Sequence, residues 1–150
     1  MNKAKQVFLG ILAMLVLAAC QTPVERINAS GKLSIQSIQP NVLAGCPVRA
    51  GDWMALEGND FGEPADWGEG GPNYVRFPPE PGIDAEQVEL TKVEDPATLF
   101  FKVPAGAQSG TVKLHVEDVG DATFEVVVEG GTGGANVVPG CRLPEPPPAE

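Results

Sequence analysis

A chain of 150 residues has room for one domain with a substantial core and not comfortably for two. Its 20 acidic side chains against 10 basic ones leave a net charge of −10, a surface that repels phosphate backbones and excludes nucleic acid as a partner. With only 3 Cys and 1 His, the chain lacks the closely spaced ligands of a metal centre.

The N-terminus carries two basic residues, Lys3 and Lys5, then an apolar run over residues 7–17 and the small residues Ala18 and Ala19 before Cys20. That order reads as a secretory signal peptide. The run is too short for a spanning helix, which needs about 20 apolar residues. The polar segment 21–26, with Pro23, prevents its extension. Leu17-Ala18-Ala19-Cys20 resembles the lipobox of bacterial lipoproteins, which is cut before the cysteine once its sulfur has been lipidated. The resemblance implies that residues 1–19 are removed and that Cys20 carries two or three acyl chains, palmitate among them. One chain binds a bilayer only marginally, and two give stable attachment. Loss of Lys3 and Lys5 takes the net charge from −10 to −12, which disfavours docking on anionic headgroups and leaves the lipid as the membrane contact. Gln21 stands where Asp retains many such proteins at the inner membrane, so an extracytoplasmic position at the outer membrane is expected where there are two membranes.

Residues 20–32 show no clean period and read as a tether. From Leu33 the pattern becomes short alternating runs between Gly and Pro. Leu33 and Ile35 alternate and Ile38 falls out of phase, which predicts a first strand with a kink or bulge. Met54 with Leu56, Val75 with Phe77, and Val88 with Leu90 mark three more strands. Leu99, Phe101 and Val103, then Val112, Leu114 and Val116, then Phe124, Val126 and Val128 mark the last three. Period two throughout, with no helical period after the signal, predicts an all-β domain over 33–129: an immunoglobulin-like β-sandwich of about seven antiparallel strands. Gly130-Gly131-Thr132-Gly133-Gly134 breaks the pattern and opens a Gly/Pro-rich tail over 130–150.

Cys46 and Cys141, in an exported chain, most simply form one disulfide. It would pin the tail to the loop after the first strand. The other reading is a loose tail with a free thiol.

Two blocks resemble an IPT/TIG domain, an immunoglobulin-like fold of cell-surface receptors, some transcription factors and many bacterial exported proteins. The first is Ile35-Gln36-Ser37-Ile38-Gln39-Pro40, then Ala50-Gly51-Asp52, then Met54-Ala55-Leu56-Glu57-Gly58-Asn59-Asp60-Phe61-Gly62. The second runs from Phe101-Lys102-Val103-Pro104 through Ser109-Gly110 into the alternating residues up to Val116. Gly58 and Gly62 suit a corner where a side chain would clash or φ must be positive, with Phe61 as the apolar plug beneath it. The stretch 63–72 is long for such a domain, and Cys46 and Cys141 are additions to the family pattern.

No catalytic constellation emerges. The sole histidine, His115, lies on the expected solvent face of a strand, no Gly-x-Ser-x-Gly elbow is present, and nothing places two carboxylates in a pocket. The chain therefore reads as a non-enzyme with no cofactor beyond the lipid. The long loop is the candidate binding feature: Asp60, Glu63, Asp66 and Glu69 recur at three-residue spacing beside Trp67. An exposed Trp67 could contact a protein or glycan, and oxygen-rich loops can hold calcium, although the EF-hand order is absent. The alternative is a solvated acidic loop whose Trp67 folds back on the sandwich. Trp53 is either an exposed contact or covered by the tether.

The expected function is a membrane-anchored binding or scaffold module for an envelope protein or glycan. The alternative is a structural accessory subunit that pairs strand edges in an envelope assembly.

Overall fold

The computed structural model describes residues 27–92, 96–132 and 139–148. The signal, Cys20 and most of the tether lie outside the described residues, as do the glycines at 133 and 134.

The described chain is all β, an immunoglobulin-like sandwich. In chain order the strands are β1 (Asn28–Ala29), β2 (Ser34–Gln39), β3 (Val48–Ala50), β4 (Trp53–Asn59), β5 (Tyr74–Phe77) and β6 (Ile83–Asp84). They continue with β7 (Glu86–Lys92), β8 (Ala97–Lys102), β9 (Gly110–Val116), β10 (Gly120–Val126) and β11 (Val128–Thr132). One sheet runs β1-β10-β9-β5-β6 and the other β2-β4-β8-β7, both antiparallel; β3 and β11 form a short parallel pair. The chain switches between the two large sheets four times, between β1 and β2, β4 and β5, β6 and β7, and β8 and β9, so non-consecutive strands become neighbours.

All seven expected strands are present, as β2, β4, β5, β7, β8, β9 and β10, and their alternation sets which residues face inward. Met54, Leu56, Leu99 and Phe101 from one sheet meet Val75, Phe77, Val112, Leu114 and Phe124 from the other, each fully buried. Phe77 and Phe101 join the layers with ring centroids 6.2 Å apart. The phase slip at Ile38 is a bulge: the β2–β4 register shifts between Ile35 and Ser37, and both Ile35 and Ile38 are buried because of it. The Gly58–Gly62 corner is built as its residues require. A Cβ on Gly58 would run into the Ser34 carbonyl oxygen and lie 2.9 Å from Phe61 Cζ, while Gly62 sits at φ 77°. Phe61 plugs the corner and is 2% exposed.

Two boundaries differ from expectation. Part of the tether belongs to the sheet, because Asn28 and Ala29 pair with Thr123 and Ala122 as β1. Two residues are too few to show a period. The glycines at 130 and 131 do not break the strand pattern: they lie in β11, where Val128 pairs with Val48 and Thr132 with Ala50. Backbone pairing needs no side chain, so glycine composition hid this strand.

Cys46 and Cys141 are bonded, with Cα atoms 5.5 Å apart across a sequence separation of 95. The tail therefore returns to the turn that follows β2.

Candidate binding surfaces

The long loop is folded upon itself. Pro64–Asp66 forms a single 3-10 turn, in which the Glu63 N–H donates to Asp66 Oδ2 at 3.1 Å and the Asp66 N–H to the Glu63 carbonyl at 3.0 Å. The Asp66 carbonyl accepts from the Asn73 N–H at 3.1 Å, which closes the loop onto the start of β5. A Cβ on Gly71 would strike that same Asp66 carbonyl, so the closure needs glycine there.

Trp67 is not an exposed contact. It packs in the core cluster, 7% exposed, and its indole N–H donates to the Phe61 carbonyl at 2.8 Å. Of the two readings of this loop, the ring folds back on the sandwich, because the indole fills apolar space and its one donor finds a backbone acceptor. Asp60, Glu63 and Glu69 are exposed around it, and Asp66 is committed to the turn. Among the described residues, no group of three or more His, Cys, Asp or Glu side chains is placed to hold a metal ion.

The outer face of the five-stranded sheet carries a feature that the sequence hid. Strand register sets Tyr74 opposite His115, His115 opposite Asp121, and Arg76 opposite Lys113. The Tyr74 and His115 rings stack with centroids 5.0 Å apart, and the Arg76 guanidinium lies 4.0 Å from the Tyr74 centroid. His115 Nδ1 is 2.6 Å from Asp121 Oδ1, and Nε2 is 3.2 Å from Glu117 Oε2. The Asp121 hydrogen bond, supported by Glu117, raises the imidazole pKa above its ordinary value. His115 in turn, with Lys113 at 3.3 Å, holds the Asp121 carboxyl below the usual carboxylate range. Arg76 pairs with Asp84 at 2.6 Å. His115 thus lies on the expected outer face, but half-buried and held on both ring nitrogens. Each of these residues sits at an unremarkable alternate position; only the cross-strand register, which one sequence does not reveal, assembles them.

Loop and ladder meet in a groove of about 570 Å³. One wall is the glycine-rich end of the loop, Gly68, Gly70 and Gly71 with Glu69; the other is Tyr74 and Arg76 of β5 with Asp84 and Gln87 beyond them. On that side β5 pairs with β6 at Arg76 and Phe77, and the Ala85 N–H donates to the Val75 carbonyl at 2.8 Å. Asn73 anchors its root: Oδ1 accepts from the Glu117 N–H at 2.8 Å, while its buried Nδ2 has no hydrogen-bond partner among the described residues. Of the loop residues singled out by spacing, Glu69 alone lines the groove.

On the opposite sheet, Trp53 is half-buried, edge-on to Phe100 at 6.5 Å and under the Lys102 ammonium at 5.0 Å. No family model, curated protein or solved structure matches the chain.

Proposed function

We propose that the chain is a cell-envelope lipoprotein, anchored through acylated Cys20, whose IPT/TIG-type domain is a non-catalytic binding module for an envelope protein or glycan. The groove between Gly68–Gly71 and β5 carries this reading. It is concave and pre-formed, and it presents the polar groups of Glu69, Arg76, Asp84 and Gln87 around the Tyr74 ring, a lining suited to a hydroxyl-rich or peptide ligand. The lipobox-like residues before Cys20 support the anchor, and the Cys46–Cys141 bond accords with an oxidising compartment outside the cytoplasm.

A non-catalytic role is favoured by His115, whose two ring nitrogens are both engaged by carboxylates and so not free to activate a hydroxyl. The edge-pairing alternative is disfavoured at β7, where register shifts on either side of Glu89–Leu90 and a positive φ of 49° at Gln87 interrupt the outer edge.

Two measurements test the proposal. Mass spectrometry of the mature protein should find an acylated Cys20 at the N-terminus, and Cys20→Ser should abolish the acylation and leave residues 1–19 attached. The delipidated protein, immobilised, should retain an envelope protein or polysaccharide that Glu69→Lys loses; equal retention by both would remove the groove from the proposal.

A further inference from the structure

The outer face of the four-stranded sheet is not bare. Register brings Ala55 beside Gln39 on one side and Phe100 on the other, all three pointing away from Met54 and Leu99 in the core. Ala55 is nevertheless only 8% exposed. Its small side chain leaves a cleft of about 290 Å³ between taller neighbours, and Pro144 and Glu145 of the tail line the far side of that cleft, opposite Phe100 and Thr98.

The tail has the composition for such a seat. Leu143-Pro144-Glu145-Pro146-Pro147-Pro148 is held extended by its proline rings, so little backbone freedom remains to be lost on docking. Proline-rich segments dock characteristically on grooves lined by aromatic rings. Phe100 supplies such a ring, and Trp53 buttresses it edge-on. The bond from Cys46 to Cys141 fixes the start of the segment close to the end of β2, so Pro144 reaches the cleft as an intramolecular ligand at high effective concentration.

We propose that this sheet face, centred on Ala55 and Phe100, is a docking site for an extended proline-rich segment, and that the chain's own tail covers one side of it through Pro144 and Glu145. The surface is thereby self-capped, and the disulfide is what keeps the cap in place. This is independent of the groove at β5, with which the cleft shares no lining residue.

The test compares the full chain with a chain ending at Cys141, which keeps the disulfide, using backbone amide resonances. Removing the tail should shift the amides of Ala55, Thr98 and Phe100 and leave those of β9 and β10 unmoved. A synthetic peptide of residues 142–148 should then restore the shifts in the shortened chain with a dissociation constant of about 0.1–10 mM, a weak affinity that tethering makes sufficient. The full chain should ignore the peptide. Pro144→Gly in the full chain leaves the disulfide and core untouched and should reproduce part of the shift at Ala55 and Phe100, guarding against a shortened chain that folds poorly. Identical Ala55 and Phe100 resonances in the full chain, the shortened chain and Pro144→Gly would overturn the proposal. So would peptide-induced shifts that map elsewhere. Shifts in the full chain that depend on its own concentration would place the tail on a second copy and overturn the intramolecular cap.

Discussion

The Trp67 indole N–H donates to the Phe61 carbonyl oxygen at 2.8 Å, so the plug of one corner and the turn of the long loop are a single buried unit. Phe61 lies beneath the Gly58–Gly62 corner, and Trp67 follows the Pro64–Asp66 turn. Replacing Trp67 with Phe keeps most of the packing and leaves the Phe61 carbonyl without its donor, a loss of about 1–2 kcal/mol. Trp67→Ala also opens a cavity and should cost about 3–5 kcal/mol. Urea unfolding reads both values, and a Trp67→Ala effect below that of Trp67→Phe would contradict the buried placement.

The His115 cluster makes stability depend on pH. Its imidazole is raised above its ordinary 6.5, chiefly by the Asp121 hydrogen bond, so its contribution is complete below that value and fades as pH rises through the folded-state pKa. Asp121 is lowered from 3.8, chiefly by His115, so its contribution is present above that value and is lost as pH falls through its own folded-state pKa. The cluster is therefore most stabilising between these limits. Because these groups are partly solvated, the effect is screened. His115→Gln should cost about 0.5–1 kcal/mol at pH 5 and less at pH 9. A penalty that grows with pH would contradict the assignment.

Three glycines separate three kinds of constraint. Gly58→Ala drives a methyl into the Ser34 carbonyl, a clash with backbone that cannot rotate away, and should cost about 2–3 kcal/mol. Gly62→Ala puts a side chain at φ 77° and should cost about 1–2 kcal/mol. Gly130→Ala meets nothing within 4 Å and should fall within about 0.5 kcal/mol of the parent. Thermal unfolding of the three variants should give that order.

Opening the disulfide frees a closed loop whose ends are 95 residues apart. In the chain-entropy account its removal by Cys46→Ser with Cys141→Ser should cost about 4–5 kcal/mol. Chemical denaturation of the parent with and without a reducing thiol should show the same difference. An unchanged midpoint would mean that the bond constrains only the tail.

Much of this fold was legible because alternation and burial share one cause. Each of the seven apolar runs had to choose a face, and an out-of-phase Ile38 could stay inside only through a bulge. The short strands were not legible. β1 pairs through two residues and β3 through three, below the length at which a period exists, and the β11 glycines offer backbone hydrogen bonds that composition does not advertise. The candidate loop was found by its acids and its tryptophan, yet what surrounds the groove depends on pairing. Tyr74, Arg76 and His115 come from segments some forty residues apart, and only the β5–β9 register sets them side by side. Spacing within a segment cannot carry that information.

The pairing of Asn28 with Thr123 also sets a length. On the lipoprotein reading, residues 21–27 are all the chain between the acylated Cys20 and the first paired residue; stretched out, they span roughly 25 Å. On that reading, so short a leash would keep the sandwich close above the bilayer. The proposed ligand would then be another resident of that surface, or a polymer that passes within touching distance of it.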